Sequence, residues 1–424
     1  SPISAYRGVG WTAGQTVREL LIDEAARALG VDPAELRRRN LVNADQFPYA
    51  SCTGMLYDSG SYNEALQAGL SALGYDQVRE EQARRRSTDS LVGIGMSPYV
   101  EPTGWGSAGA LQSRWSFASH DVVRLTVEPD GGVTVATGSP SQGQGHATSL
   151  AQVVAAAMDV DPSIVKVISG DTVSTPISTA GTRASRTAVI NGGALTRASE
   201  QLRTKLFKVA GHLLEAHVDD LEMRDGAIRV KGDPASALAL QQLARAAHYI
   251  PMPPDVLEDP SLSVTAFYDP PATYASGCIF AVVEVDAATG GVIVRRMVAV
   301  EDCGTMINPA IVDGQVRGAV AQGIGGALLE EAAYDDDGQF RSGTFVDYLL
   351  PTSVEVPRIE VLHCVSPSPF TEEGIKGVGE SGLVATPAAI ACAVADALAH
   401  VGGRVERLPI KPEDALRLAC AQAT

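Results

Sequence analysis

The 424-residue sequence predicts an α+β fold. Three observations carry that prediction. Strand-like runs come in pairs joined by tight turns, helix-like runs stand between the pairs, and no regular strand–helix–strand alternation links them. At about 150 residues per domain the length fits two to three domains. In chain order, residues 13–29 place Val17, Leu20, Leu21, Ala25 and Leu29 at helical spacing, and Gly30 supplies a stop. Asp32 can cap a second helix, with Pro33 in its first turn and Glu35 placed to close a capping box. Residues 63–84 read as one helix ending in a charged run over 79–86, and the domain boundary is placed there, dividing 1–90 from 91–424. Residues 122–127 and 133–137 flank Pro129-Asp130-Gly131-Gly132 and read as a hairpin. A helix follows over 145–158, a strand over 164–169 and a long helix over 195–217. A second strand pair, 279–286 and 291–300, turns at Ala288-Thr289-Gly290-Gly291. Residues 309–331 read as helical despite their glycines, and 385–400 as a last apolar helix.

Composition excludes several function classes. Lys+Arg 33 against Asp+Glu 50 gives a net charge of −17, which speaks against a nucleic-acid-binding face and a polybasic membrane anchor. No apolar run is long enough to predict a membrane span. The opening SPISAYRGVG has no signal-peptide pattern. The six cysteines form no CxxC pair and no zinc or iron–sulfur spacing, which predicts a reducing, cytoplasmic compartment. No HExxH pattern exists and no protein metal ligands are expected; GxSxG is absent too.

Five segments could carry chemistry. Gly138-Ser139-Pro140-Ser141-Gln142-Gly143-Gln144-Gly145-His146 follows a strand and opens a helix, so its glycines admit a ligand to free helix amides. It also reads as a plain strand-to-helix turn. Thr179-Ala180-Gly181-Thr182-Arg183-Ala184-Ser185-Arg186-Thr187 offers many donors to a polyoxygenated ligand, or caps the next helix. Gly314-Gln315-Val316-Arg317-Gly318 continues to Gln322-Gly323-Ile324-Gly325-Gly326; glycines cost about 1 kcal/mol each in a helix, so their number implies close packing against a backbone or a large ligand. Lys376-Gly377-Val378-Gly379-Glu380-Ser381-Gly382 sets one carboxylate among small residues, as a general base or as an exposed loop residue. Ala5-Tyr6-Arg7-Gly8-Val9-Gly10 sets one guanidinium between glycines, suited to an anion or to solvent.

Taken together and in order, AYRGVG, DPAELRRRNL, GSPSQGQGH, GDT with TAGTRASRT, DCGTMINPAIVDGQVRGAVAQGIG and KGVGESG resemble the molybdenum-cofactor subunit of the xanthine oxidase family. The resemblance covers essentially the whole chain and lies on the carbon-monoxide-dehydrogenase-like side. It implies the α+β fold of that family's molybdopterin-binding domains, with 1–90 as the C-terminal part of the first and 91–424 as the second. It implies molybdopterin cytosine dinucleotide, its molybdenum held by the pterin dithiolene. By match, Glu380 lies beside the metal and takes a proton from its hydroxide. Arg7 and Gly8 match the arginine loop at the metal. Gln142, Gly143, Gln144, Gly145 and His146 match the pterin-contacting loop. Thr182, Ala184, Ser185, Arg186 and Thr187 match the segment around pterin and phosphates. Gln315 matches the GQV glutamine, and Lys376, Gly377, Val378 and Gly379 lead to the glutamate. Val9 and Met96 fall at the substrate walls, where aromatics would sandwich a purine, so a flat purine is not expected. Gly8 stands where carbon-monoxide oxidisers carry a cysteine, so a copper–molybdenum site is not expected either.

The implied activity is oxidation of an electrophilic carbon in a small molecule, an N-heteroaromatic or an aldehyde, with water as oxygen donor. Electrons pass to [2Fe–2S] clusters and FAD on partner subunits. The alternatives are a CoA-thioester reductase of the same family and a non-catalytic cofactor-holding subunit. Family subunits carry a long stretch with a GGxFG loop before the arginine loop. The sequence therefore raises the expectation of a split or cleaved subunit, with a companion chain carrying the N-terminal molybdopterin-binding part.

Overall fold

The computed structural model describes residues 5–112, 120–259 and 261–420. Two four-stranded mixed sheets, each backed by helices, form the α+β architecture. The first runs Ser263–Tyr268, Asp121–Val127, Val133–Thr137, Val165–Ser169, antiparallel except for its last pair. The hairpin predicted over 122–137 is present. Val123, Leu125 and Val127 alternate inward and meet the helices His146–Met158 and Thr187–Leu214.

The second sheet runs Ile359–His363, Val292–Asp302, Thr273–Asp286, Ser90–Thr103. The helices Pro309–Leu328 and Ser381–Leu398 cover one face; Tyr62–Leu73 and Tyr75–Arg85 cover the other. Burial on both faces makes Thr273–Asp286 a nearly unbroken apolar run. The 381–398 helix lies almost on the sheet backbone. A Cβ on Gly93 or Gly95 would stand 1.9 Å from the carbonyl oxygen of Ala393 or Ala389. Among the described residues this helix, as Ser381–Val401, is the one long and apolar enough to cross a membrane; it is 89% buried in the core.

The first helix, Val9–Leu29, is joined to Pro33–Asn40 by a buried ion cluster. Arg37, 3% exposed, donates to Glu19 Oε2 at 2.9 Å and Asp23 Oδ1 at 2.6 Å. Asp32 caps the second helix through the amides of Ala34 and Glu35, at 2.8 and 3.2 Å. Glu35 turns to Arg38 and Arg39 instead of closing a box.

Three readings need correction, and one strand, Ser90–Thr103, was not anticipated. The 63–84 helix is two helices, because Gly74 turns left-handed at φ 65° between them. The long helix begins at Thr187 rather than 195; packing overrides weak propensity at Asn191, Gly192 and Gly193, the last pressed against the Tyr268 ring. Ser90–Thr103 is a strand although Gly93, Gly95, Pro98 and Pro102 look like breakers; it lies at the sheet edge, where proline is tolerated. In Pro309–Leu328, close packing is confined to the C-terminal half. Gly323 meets Thr386 and Gly325 meets Glu330, whereas Gly314 and Gly318 have nothing within 4 Å.

Candidate active site

The site is assembled around one buried acid. Asp121, at the start of its strand, accepts from Ser139 Oγ at 2.8 Å, Ser178 Oγ at 2.6 Å and Arg186 Nη1 at 2.8 Å. Asn191 Nδ2 reaches it at 3.4 Å. The 138–146 loop, the 178–187 loop and the 187–214 helix are thereby fastened together. Arg186 is 1% exposed and also donates to the Gly181 carbonyl at 2.7 Å. Its guanidinium is thus tied into the scaffold, while Arg186 also contributes to the cavity wall.

Glu380 sits at the N-terminus of the 381–398 helix. Its Oε1 accepts the Ala184 N–H at 2.7 Å and its Oε2 accepts the Gly8 N–H at 2.9 Å. Its own N–H donates to Ser185 Oγ at 2.9 Å. Both clamping turns are left-handed: Gly8 at φ 84° and Val9 at 45°, Ala184 at 51° and Ser185 at 54°. Such conformations cost non-glycine residues about 1–3 kcal/mol each and persist where the surroundings over-determine them. Arg7 supplies part of that support. It donates to the Gly379 carbonyl at 2.6 Å, the Gln315 carbonyl at 3.1 Å and Gln315 Oε1 at 3.3 Å. The arginine, GQV and glutamate segments thus meet at one guanidinium.

A cavity of about 760 Å³ opens in front of Glu380. Arg7, Val9, Gln142, Gly143, Gln144, His146, Thr182, Ala184, Ser185, Arg186, Thr187, Gln315, Lys376, Val378 and Gly379 all contribute to its wall. Gln142 and Thr182 link its two loops through Gln142 Nε2 to the Thr182 carbonyl at 3.4 Å and Thr182 Oγ1 to the Pro140 carbonyl at 2.6 Å. Burial lowers the His146 pKa to about 4, so its imidazole is neutral at pH 7. Lys376 is 2% exposed and its ammonium donates away from the cavity, to the Ser59 carbonyl at 3.2 Å.

Gly8, Gly145 and Gly377 stand behind the wall. Gly145 turns into the 146–158 helix at φ 78°, and Gly377 packs on the Ser185 carbonyl. Met96 is not at the site. It is 1% exposed among Leu66, Ile94 and Phe280, because strand alternation sends it to the opposite sheet face. The segment reading also missed Trp11, Trp105 and Glu101, which line the cavity. Glu101 is 2% exposed and accepts from Ser185 Oγ at 2.8 Å and Ser381 Oγ at 2.7 Å. Burial, and then the charge of Glu380, push its pKa up to about 8. A lone carboxylate inside the apolar run of residues 91–103 is the signal that could have found it.

Among the described residues no group of three or more His, Cys, Asp or Glu converges to hold a metal. The cavity offers backbone amides, glutamines, hydroxyls and a guanidinium, a donor set for a large polyoxygenated ligand.

Comparison with known proteins identifies the family. A molybdopterin cofactor-binding domain family matches residues 68–357, and a second molybdopterin cofactor-binding domain family matches 1–41. The nicotine 6-hydroxylase large subunit of Paenarthrobacter nicotinovorans is 38% identical over 98% of this chain and 51% of its own length. The carbon monoxide dehydrogenase large chain of Hydrogenophaga pseudoflava is 37% identical over 91% of this chain and 48% of its own. Quinoline 2-oxidoreductase from Pseudomonas putida 86 superposes with a TM-score of 0.93 at 42% identity, covering 99% of this chain and 53% of that one. The chain spans about half the length of the relatives it matches. It belongs to the molybdopterin-binding domains of the xanthine oxidase family.

Proposed function

We propose that this chain is the molybdenum-cofactor part of a hydroxylase or dehydrogenase that oxidises an electrophilic carbon of an N-heteroaromatic compound or an aldehyde. Glu380 carries the reading: its carboxylate, fixed through both oxygens by backbone amides, faces a cavity whose polar wall is rich in amides, glutamines and hydroxyls. That lining fits molybdopterin cytosine dinucleotide, which brings its own metal ligands. Gly143, with φ 97° and nothing within 4 Å of a notional Cβ, leaves room for a close backbone approach. When bound, the cofactor supplies a two-electron acceptor and a water-derived oxygen nucleophile.

The protein's own part follows from the geometry. Glu380 would accept a proton at one of its carboxylate oxygens, as the general base toward a nucleophile supplied there. The Gly8 and Ala184 amides hold the carboxylate in one rotamer, so no reorientation is needed at that moment. Each carboxylate oxygen keeps a lone pair for the proton. Arg7 braces the loop from behind. Gly8 offers no side chain to a second metal. Val9 and Trp11, 59% and 44% exposed, line the mouth and meet the substrate.

Partner subunits with [2Fe–2S] clusters and FAD carry the electrons away, and the part corresponding to the other half of the relatives completes the pocket. Relatives that are large subunits or part of a complex support such partners. All six cysteines are free, which supports the cytoplasm as the compartment.

The test is Glu380→Gln in the complex from its own host. Molybdenum content should persist while turnover falls by at least about 10²–10⁴, the range of general-base contributions. Near-normal turnover, or a native complex without stoichiometric molybdenum, would refute the proposal.

A further inference from the structure

Behind the general base lies a second carboxyl group that the reaction does not consume. Glu101 sits on the strand Ser90–Thr103, one layer below Glu380. Its two oxygens accept from Ser185 Oγ and Ser381 Oγ, at 2.8 and 2.7 Å. Ser185 Oγ in turn accepts the Glu380 N–H at 2.9 Å, and Ser381 is the first residue of the helix that Glu380 caps. Glu101 therefore grips the backbone of Glu380 from both sides. Among the described residues no cation is seen to pair with it, and the donors of Arg7 go to Gly379, Gln315 and Gln322. The charged and titratable groups around it are Glu380 and Arg7 on the cavity side, and Glu301 and Tyr99 on the sheet side. Ala275 is its register partner on the neighbouring strand.

We propose that Glu101 is a positioning residue for Glu380: as a neutral acid it fixes Ser185 and Ser381, and it keeps Glu380 the sole carboxylate charge at the cavity wall. The inference rests on the reading of Glu380 as the general base. A buried, 2% exposed carboxyl without a cation is costly to ionise. Its midpoint of about 8 means that the proton is held at neutral pH and lost in alkali. Loss would add a second negative charge beside Glu380 and oppose formation of the anionic nucleophile there.

The experiment uses the holoenzyme and its Glu101→Gln variant. Infrared difference spectra from about pH 6 to about pH 10 read the carboxylic-acid carbonyl directly, apart from turnover. The wild type should lose a band around pH 8 that the variant lacks. The amide mimics the protonated acid, so the ratio of variant to wild-type kcat should rise about tenfold by one unit above the midpoint, with KM unchanged, because about a tenth of wild-type molecules keep the proton there. Absence of the titrating band overturns the proposal, and so do superimposable pH profiles. Should Glu101→Gln fail to fold, Ser185→Ala cuts the same path: the band should stay and kcat should fall about 10²-fold at constant KM. An unchanged kcat there would overturn the positioning role. A wild-type holoenzyme inert toward every substrate would instead sink the reading of Glu380, while the band still reports on Glu101.

Discussion

Gly377→Ala puts a methyl group where the site has no room for one. The new Cβ would stand 1.7 Å from the carbonyl oxygen of Ser185 and 2.7 Å from its carbonyl carbon. Both are backbone atoms, so no side-chain rotation relieves the contact, and about 3.0 Å must be restored. The Gly377 side is tethered: its N–H donates to Thr103 Oγ1 at 3.1 Å and the Lys376 N–H donates to the Cys303 carbonyl at 3.0 Å. The turn at Ala184 and Ser185, already left-handed, is what yields. Its movement draws the Ala184 amide off Glu380 Oε1 and Ser185 Oγ off the Glu380 N–H. Overpacking of this kind costs about 1–3 kcal/mol, and losing a hydrogen bond to a charged group about 1.5–3 kcal/mol. A shift of roughly 1 Å in the base costs about 10²-fold in turnover. Denaturant unfolding and steady-state kinetics on the holoenzyme measure both. An unchanged unfolding midpoint with turnover within about threefold of wild type would show that the amide clamp does not hold Glu380, and the reasoning would fail.

Two further outcomes follow from buried charge. Arg37→Met strands Asp23 without its cation and leaves Glu19 only the half-exposed Arg18, and should cost about 3–5 kcal/mol in denaturant unfolding; a loss under about 1 kcal/mol would show that water reaches them. Glu101 and Glu301 hold protons in the folded chain that the unfolded chain releases near pH 4.5. The Glu101 contribution to stability is therefore full below about pH 4.5 and is lost as pH rises toward about 8, by about 1.4 kcal/mol per unit, and Glu301 acts in the same direction. Unfolding free energies across that window should decline in the wild type and decline less in Glu101→Gln. Equal slopes would contradict the assigned burial.

The hairpin and the apolar helices were legible because period-2 and helical patterns are local. The strand Ser90–Thr103 was not, since what makes it a strand is the helix lying across Gly93 and Gly95 nearly 300 residues away in sequence. The site shows the same division. Glu380, Arg7 and Gln315 stand out through the glycines around them and the order of the segments. Their meeting at one guanidinium is not written locally. The pairing of Arg186 with Asp121, 65 residues earlier, is not written locally either. Met96 was misplaced because without the strand its facing could not be assigned.

The position of the 381–398 helix in the chain bears on how the protein is made. Residues 9–29, 90–103, 273–286 and 309–328, which pack against it, all emerge from the ribosome first. Until it arrives, one face of the second sheet has only the helix Pro309–Leu328 over it, and the 381–398 helix itself is apolar enough to be mistaken for a membrane segment. Such an intermediate calls for chaperone protection. Ribosomes that stop short of Ser381 would release chains whose central sheet lacks this cover. These would be targets for degradation rather than partly working enzymes, so quality control would reject a truncation here before any loss of catalysis could be noticed.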